Sequence, residues 1–178
     1  MKKKPTIEQL CSAPESQEFD RKSARIEPKA LANHLVAFAN ADGGVLVIGI
    51  EDNGTVTGID KYTQNINELQ RTPIDYCNPS VRTESEKIEC VNADGKPDHL
   101  LIITVFQSTQ MHANQADEVY YRMGDKSKKL NFEDRMRLMY AKGERYYEDT
   151  PVPDATIDDI DLPFVQEYID KIGYTKSP

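Results

Sequence analysis

Between Arg122 and Arg145 the chain carries eight bases, Arg122, Lys126, Lys128, Lys129, Arg135, Arg137, Lys142 and Arg145. Only four acids, Asp125, Glu133, Asp134 and Glu144, stand among them. Side chains of this type and density neutralise phosphates, and a solvated helix face carries the same composition. Four of the bases, Arg122, Lys126, Lys128 and Lys129, surround Gly124. Alternation along an extended stretch puts Tyr120 and Arg122 on one face and Tyr121 on the other, so one tyrosine is expected in the core. A second block with chemical potential is Asn40–Ala41–Asp42–Gly43–Gly44. It reads as a tight helix-to-strand turn whose free backbone N–H groups can receive an anion. The competing account is that Gly43 and Gly44 only permit the turn.

Other chemistries find less support. Cys11, Cys77 and Cys90 are an odd count with no C-x-x-C pair, so neither a disulfide framework nor a zinc site is indicated. His34 and His112 have no partner at metal-ligand spacing, and His34 is expected to be structural. Gly124–Asp125–Lys126–Ser127 lacks the upstream glycines of a Walker A loop.

The elements that must position these residues are legible in the pattern. Thr6 with Gln9 predicts a capped opening helix that Pro14 ends. Glu18–Phe19–Asp20 is expected to be a brief strand. Pro28 opens a helix with Leu31, Leu35, Phe38 and Ala39 at helical spacing. Val45–Ile50, apolar without polar alternation, predicts a central strand. Asp52–Asn53–Gly54 predicts a hairpin returning through Thr55–Gly58. Residues 65–70 read as helical, and Thr72–Pro73 and Asn78–Pro79 as an irregular connection. Ile88–Val91 and Leu100–Val105 flank an Asp94–Gly95 turn and should pair antiparallel. Glu118–Arg122 predicts a short strand, and Asn131 a cap for a helix from Phe132 to about Lys142, stopped by Gly143. Thr150–Pro151–Val152–Pro153 reads as a linker before a final helix, Leu162–Ile172, so the main domain is expected to span 1–149 and an acidic appendage 150–178.

At 178 residues, with 38% hydrophobic and 29% charged, the chain has the composition of a globular protein that needs no disulfide or metal to hold a core. The net charge of −8 argues against nucleic-acid contact over the whole surface. Most of the excess lies from Glu144 onward, where nine acids meet three bases. No apolar run approaches the roughly 20 residues of a membrane-spanning helix. Met1–Lys4 lacks the apolar stretch a signal peptide needs, which makes a cytoplasmic location the expectation.

Three segments together resemble a known family. They are Glu15–Ser16–Gln17–Glu18–Phe19; Ala37–Phe38–Ala39–Asn40 with Asp42–Gly43–Gly44 through Gly54 and Val56–Thr57–Gly58; and Tyr120–Tyr121–Arg122–Met123–Gly124 followed by Ser127. Their order and spacing look like the Schlafen AlbA-type domain, described as a DNA-binding domain in microbial regulators and RecG-helicase-like proteins. The resemblance covers about residues 10 to 140. It implies an α/β (α+β) fold with a mixed, mostly antiparallel sheet flanked by helices, here with a C-terminal helical appendage. It also implies that relatives continue into further domains, so a longer protein is expected.

The resemblance suggests that Arg122, with Lys126, Lys128 and Lys129, meets phosphates, and that Tyr120 or Tyr121 stacks on a base. The Asn40, Gly43 and Gly44 turn would supply an anion-facing edge. Nuclease members of the family use three carboxylates, which by match are Glu15, Glu18 and Asp52, with Glu51 adjacent. Such a trio would bind Mg²⁺ or Mn²⁺ through hard oxygen contacts and activate water. Two residues separate the glutamates, fewer than in the nuclease members, and Asp20 stands where the family usually has Lys. Both departures count against catalysis, since an added carboxylate repels a polyanion. Three functions are therefore carried forward. The first is a nucleic-acid-binding module, DNA or RNA, of a regulator-like protein that needs no cofactor. The second is a metal-dependent endoribonuclease acting on structured RNA. The third is a protein-interaction domain whose acidic tail mediates association, such as a homodimer.

Overall fold

A computed structural model describes residues 5–145 and 156–173. Thr6 accepts a hydrogen bond from the Gln9 N–H while the Gln9 side chain accepts from the Thr6 N–H at 2.9 Å, a capping box that starts α1 (Ile7–Ser12). The strand β1 (Phe19–Lys22) follows, and then α2 (Pro28–Asn40), whose proline sits in the first turn, where its missing N–H costs nothing. α2 crosses over to β2 (Gly44–Ile48), which lies parallel to β1 with Phe19 opposite Val45.

The return through Thr55–Gly58 does not form the expected strand. The N–H groups of Thr57 and Gly58 both donate to the Gly49 carbonyl, which curls the segment and leaves a single bridge, Ile50 to Val56. A 3₁₀ turn at Asp60–Tyr62 then leads into α3 (Thr63–Asp75), longer than the pattern suggests. It runs through Pro73, which removes one backbone donor close to the helix end.

β3 (Cys77–Asn78) is followed by two long strands, β4 (Thr83–Val91) and β5 (Pro97–Val105), paired antiparallel across the Asp94–Gly95 turn as expected. β6 (Ala113–Asn114) pairs with β3. β7 (Tyr120–Met123) and β8 (Lys126–Lys129) form a hairpin, and α4 (Phe132–Ala141) is capped by the Asn131 side chain.

The main sheet has the order β1-β2-β5-β4, with one parallel and two antiparallel pairings, so the fold is mixed α+β with a mostly antiparallel sheet. Alternation along β2 divides its side chains between two cores. Leu46 and Ile48 join Leu31, Leu35 and Phe38 of α2, while Val47 joins Leu10 of α1 and Leu100. Apolar side chains thereby pack on both faces of the sheet at β2. Arg21, also on β1, donates to the Cys11 carbonyl and ties α1 to the sheet. The three cysteines are free thiols; burial pushes Cys77 up to about 12 and Cys90 to about 11, which keeps both protonated and unreactive.

The chain divides into two compact units, Met1–Glu144 and Arg145–Pro178. The second contains a short 3₁₀ turn at Ile157–Asp159 and α5 (Leu162–Ile172), which ends at Gly173 in the left-handed region. The linker expected at Thr150–Pro153 lies outside the described residues. Among the described residues no helix is long and apolar enough to cross a membrane.

Candidate functional site

Arg122 occupies the interior, which overturns its reading as a phosphate contact. Its Nη1 donates to Asp20 Oδ2 at 2.8 Å, Nε and Nη2 donate to the Ser16 carbonyl at 3.0 and 2.8 Å, and Nη2 reaches the Phe19 carbonyl at 3.2 Å. The guanidinium also lies 4.7 Å from the centre of the Phe38 ring. Its side chain has no exposed surface. The cause is the alternation along β7, which turns Tyr120 and Arg122 toward α2. Tyr120 packs against the first core, and its hydroxyl donates to Glu118 Oε2 at 3.1 Å, so it too is withdrawn from any stacking role.

Asp20 is the hub of this inner face. Besides Arg122 it receives Lys22 Nζ at 2.5 Å and faces His34 Nδ1 at 3.3 Å. Burial works against its ionisation, but the hydrogen bonds to His34 and Lys22 prevail and hold the carboxyl well below the usual range. His34 Nδ1 is also 3.1 Å from Ser127 Oγ, which places His34 as a structural link between α2, β1 and β8. Gln17 completes the mooring. Its Nε2 donates to the Arg122 carbonyl at 3.0 Å, and its Oε1 accepts from the Gly124 N–H at 2.8 Å.

The glycine corner is likewise internal, correcting the anion-edge expectation for Asn40, Gly43 and Gly44. Asn40 Nδ2 donates to the His112 and Tyr120 carbonyls, each at 2.9 Å, and Oδ1 accepts from the His112 N–H at 2.8 Å. The Gly43 N–H is spent on the Phe38 carbonyl at 2.9 Å. Gly44 enters the sheet opposite Val105, and a Cβ there would lie 2.5 Å from the Phe38 ring. These residues hold β7 and the sheet to α2 and offer nothing to an anion.

The carboxylate trio does not assemble. Glu15 Oε1 lies 3.7 Å from Lys22 Nζ. Its carboxyl is pushed above the usual range by burial and by the Asp20 charge, against the pull of Lys22. Glu18 and Asp52 are exposed. Glu51 is tied to Ser23 at 3.0 Å, Thr57 at 2.8 Å and Arg25 at 2.9 Å. Among the described residues no three His, Cys, Asp or Glu side chains gather as a metal ion requires. The donor set of Glu15, Glu18 and Asp52 therefore does not fit Mg²⁺ or Mn²⁺.

What remains open to solvent is the outer face of the hairpin. Its register sets Tyr121 opposite Lys128 and Met123 opposite Lys126, so these four share one face. Lys126, Lys128 and Met123 are exposed and Tyr121 is half-buried. Lys129, on the other face opposite Tyr120, is less available, since its Nζ lies 2.5 Å from Glu118 Oε1. Between this outer face and α4 lies a recess of about 330 Å³, walled by Tyr121, Met123 and Leu138 with Lys128 and Arg137 among its lining. Arg137 is 3.7 Å from Asp134 and 78% exposed, leaving most of its donors free. Sequence reasoning counted Arg137 among the bases but assigned it no place. Alternation separates Tyr121 from Tyr120, but only the position of α2 tells which face is inner.

Comparison with known proteins bears on this arrangement. The family described as Schlafen, AlbA_2 matches residues 15–131. No match emerges among curated protein sequences. Among solved structures, the crystal structure of the DIP2311 protein from Corynebacterium diphtheriae aligns with a TM-score of 0.52 at 18% identity. The alignment covers 95% of this chain and 38% of that one. The likeness is one of fold, and the chain spans well under half the length of that protein.

Proposed function

This chain belongs to the Schlafen AlbA_2 family, and from that premise we propose that it is a nucleic-acid-binding module whose contact surface is the outer face of the β7–β8 hairpin. The observation that carries the reading is the cross-strand register that sets Tyr121 and Met123 against Lys128 and Lys126 on one exposed face. Two lysines can neutralise phosphates while the neighbouring ring and thioether supply apolar contact, a combination used by surfaces that track a nucleic-acid backbone. The acidic remainder of the chain confines attraction to this patch. In a longer regulator-like protein the module would place its companion domains on DNA or RNA.

The dispersed carboxylates favour binding over cutting. The test is a titration of labelled nucleic acid over a salt series. Affinity is expected to fall steeply with salt, and the joint change Lys126→Gln with Lys128→Gln to reduce the slope of log affinity against log salt by about 2. Binding that is absent or indifferent to salt would overturn the proposal.

A second reading, self-association through the C-terminal unit, is favoured by α5. Its Leu162, Phe164, Val165, Tyr168 and Ile172 are all exposed, more apolar surface than one short helix ordinarily leaves to water.

A further inference from the structure

Resting on the hairpin reading, we infer that the nucleic acid this surface takes is an unpaired strand, seated in the groove beneath α4 with a base against Tyr121. The recess beside Lys128 and Arg137 is not isolated. A second one, about 390 Å³, lies on the other side of Tyr121, bounded by Ser108, Thr109 and Lys142. Tyr121, Leu138 and Ala141 line both, so the two recesses meet along the inner side of α4. The helix itself has no buried residue. It leans on the domain and leaves a channel.

The chemistry of the channel alternates in a way that fits one strand. At one end stand Lys128 and the mostly exposed Arg137. In the middle are Tyr121, Leu138 and Ala141, an apolar stretch with an aromatic ring. At the far end is Lys142, whose Nζ donates to the Ser108 carbonyl at 2.5 Å and keeps further donors. Two acids stand by these groups: Asp134, held near Arg137, and Glu144, whose charge acts on Lys142 and whose Oε1 accepts from the Met111 N–H. Cations before and after an apolar floor suit consecutive phosphates flanking a base that has left its stack. A duplex presents phosphates outward and keeps its bases paired, so it would meet the lysines and leave the floor uncovered. Recesses of this volume are also of the size that takes in a small planar group.

The experiment compares a single strand of about 12 nucleotides with the duplex of the same sequence, by fluorescence anisotropy at one fixed salt concentration, on the full chain. The strand is expected to bind about tenfold more tightly than the duplex. Tyr121→Ala should weaken the strand about tenfold and the duplex much less, while Tyr121→Phe keeps both. A strand carrying 2-aminopurine should lose fluorescence on binding to the wild-type chain and not to Tyr121→Ala, and far-ultraviolet circular dichroism verifies that the variants are folded. Equal or tighter duplex binding, or an equal loss for strand and duplex in Tyr121→Ala, overturns this inference and leaves the hairpin reading standing. Binding to neither overturns both.

Discussion

Arg122 and Asp20 form a wholly internal ion pair, Nη1 to Oδ2 at 2.8 Å, joining the hairpin to the first strand of the sheet. The two residues lie more than a hundred positions apart in the chain, and their side chains are 0% and 1% exposed.

Removing Arg122 takes one partner from the buried Asp20 carboxylate and a side-chain donor from each of the Ser16 and Phe19 carbonyls, which costs about 3–5 kcal/mol. Arg122→Ala is therefore expected to lower the urea midpoint far more than Lys126→Ala, whose side chain is exposed. Denaturation followed by circular dichroism measures both. Arg122→Lys should rescue little, because an ammonium cannot satisfy two carbonyls and a carboxylate in the same plane.

Asp20 also sets an acid limit. Its folded carboxyl titrates below the unfolded one, so the stability it contributes is fully present above about pH 4 and is lost as pH falls toward the folded value. Thermal melts below pH 4 should steepen this loss in the wild-type chain and show a flatter acid limb in Asp20→Asn. Glu15 has the opposite sign. Its raised carboxyl opposes folding once ionised, so Glu15→Gln is expected to be neutral or slightly stabilising at pH 7.

Among the three hairpin lysines the register predicts a ranking. Lys126→Gln and Lys128→Gln should each weaken nucleic-acid binding severalfold. Lys129→Gln should weaken it less, because Lys129 is already engaged by Glu118. Anisotropy at low salt measures the ranking, and a Lys129 effect as large as the other two contradicts the assigned face.

Gly44 offers a test of the corner without touching any ligand. A Cβ there would lie 2.5 Å from the Phe38 ring and 2.8 Å from the Glu18 carbonyl. Gly44→Ala is expected to destabilise by about 1–3 kcal/mol, as overpacked cores do, read from the denaturation midpoint.

Truncation before residue 150 tests the exposed face of α5. The full chain is expected to run heavier than one copy in light scattering and the truncated chain at the mass of one. Equal masses remove the association reading.

Much of the fold was readable because periodicity and punctuation agreed. Pro28, the apolar spacing of Leu31, Leu35 and Phe38, and the glycines at 43 and 44 fix α2 and its exit. Asp94–Gly95 fixes the long hairpin of the main sheet. Thr57 and Gly58 were misread because both bend back to one carbonyl, a tertiary choice no local pattern encodes. The candidate site was half legible. Lys126 and Lys128 stand where charge clustering put them, exposed on one face. Arg122 looked like a member of the same cluster, and its burial depends on Ser16, Phe19 and Asp20, more than a hundred residues earlier. Asp20, read as a departure that weakens the site, is the acid that Arg122 requires.

Gln17 grips the hairpin at two backbone points, the Arg122 carbonyl and the Gly124 N–H, while Asn40 grips it at the Tyr120 carbonyl. Seen this way, the ribbon is a plate bolted at its root by residues that lie 80 to 107 positions earlier in the sequence. Damage to either bolt would tilt the plate and dull affinity without altering one atom that meets the bound polymer. Loss-of-binding variants should therefore map to two separate stretches of sequence, only one of which ever touches what is bound.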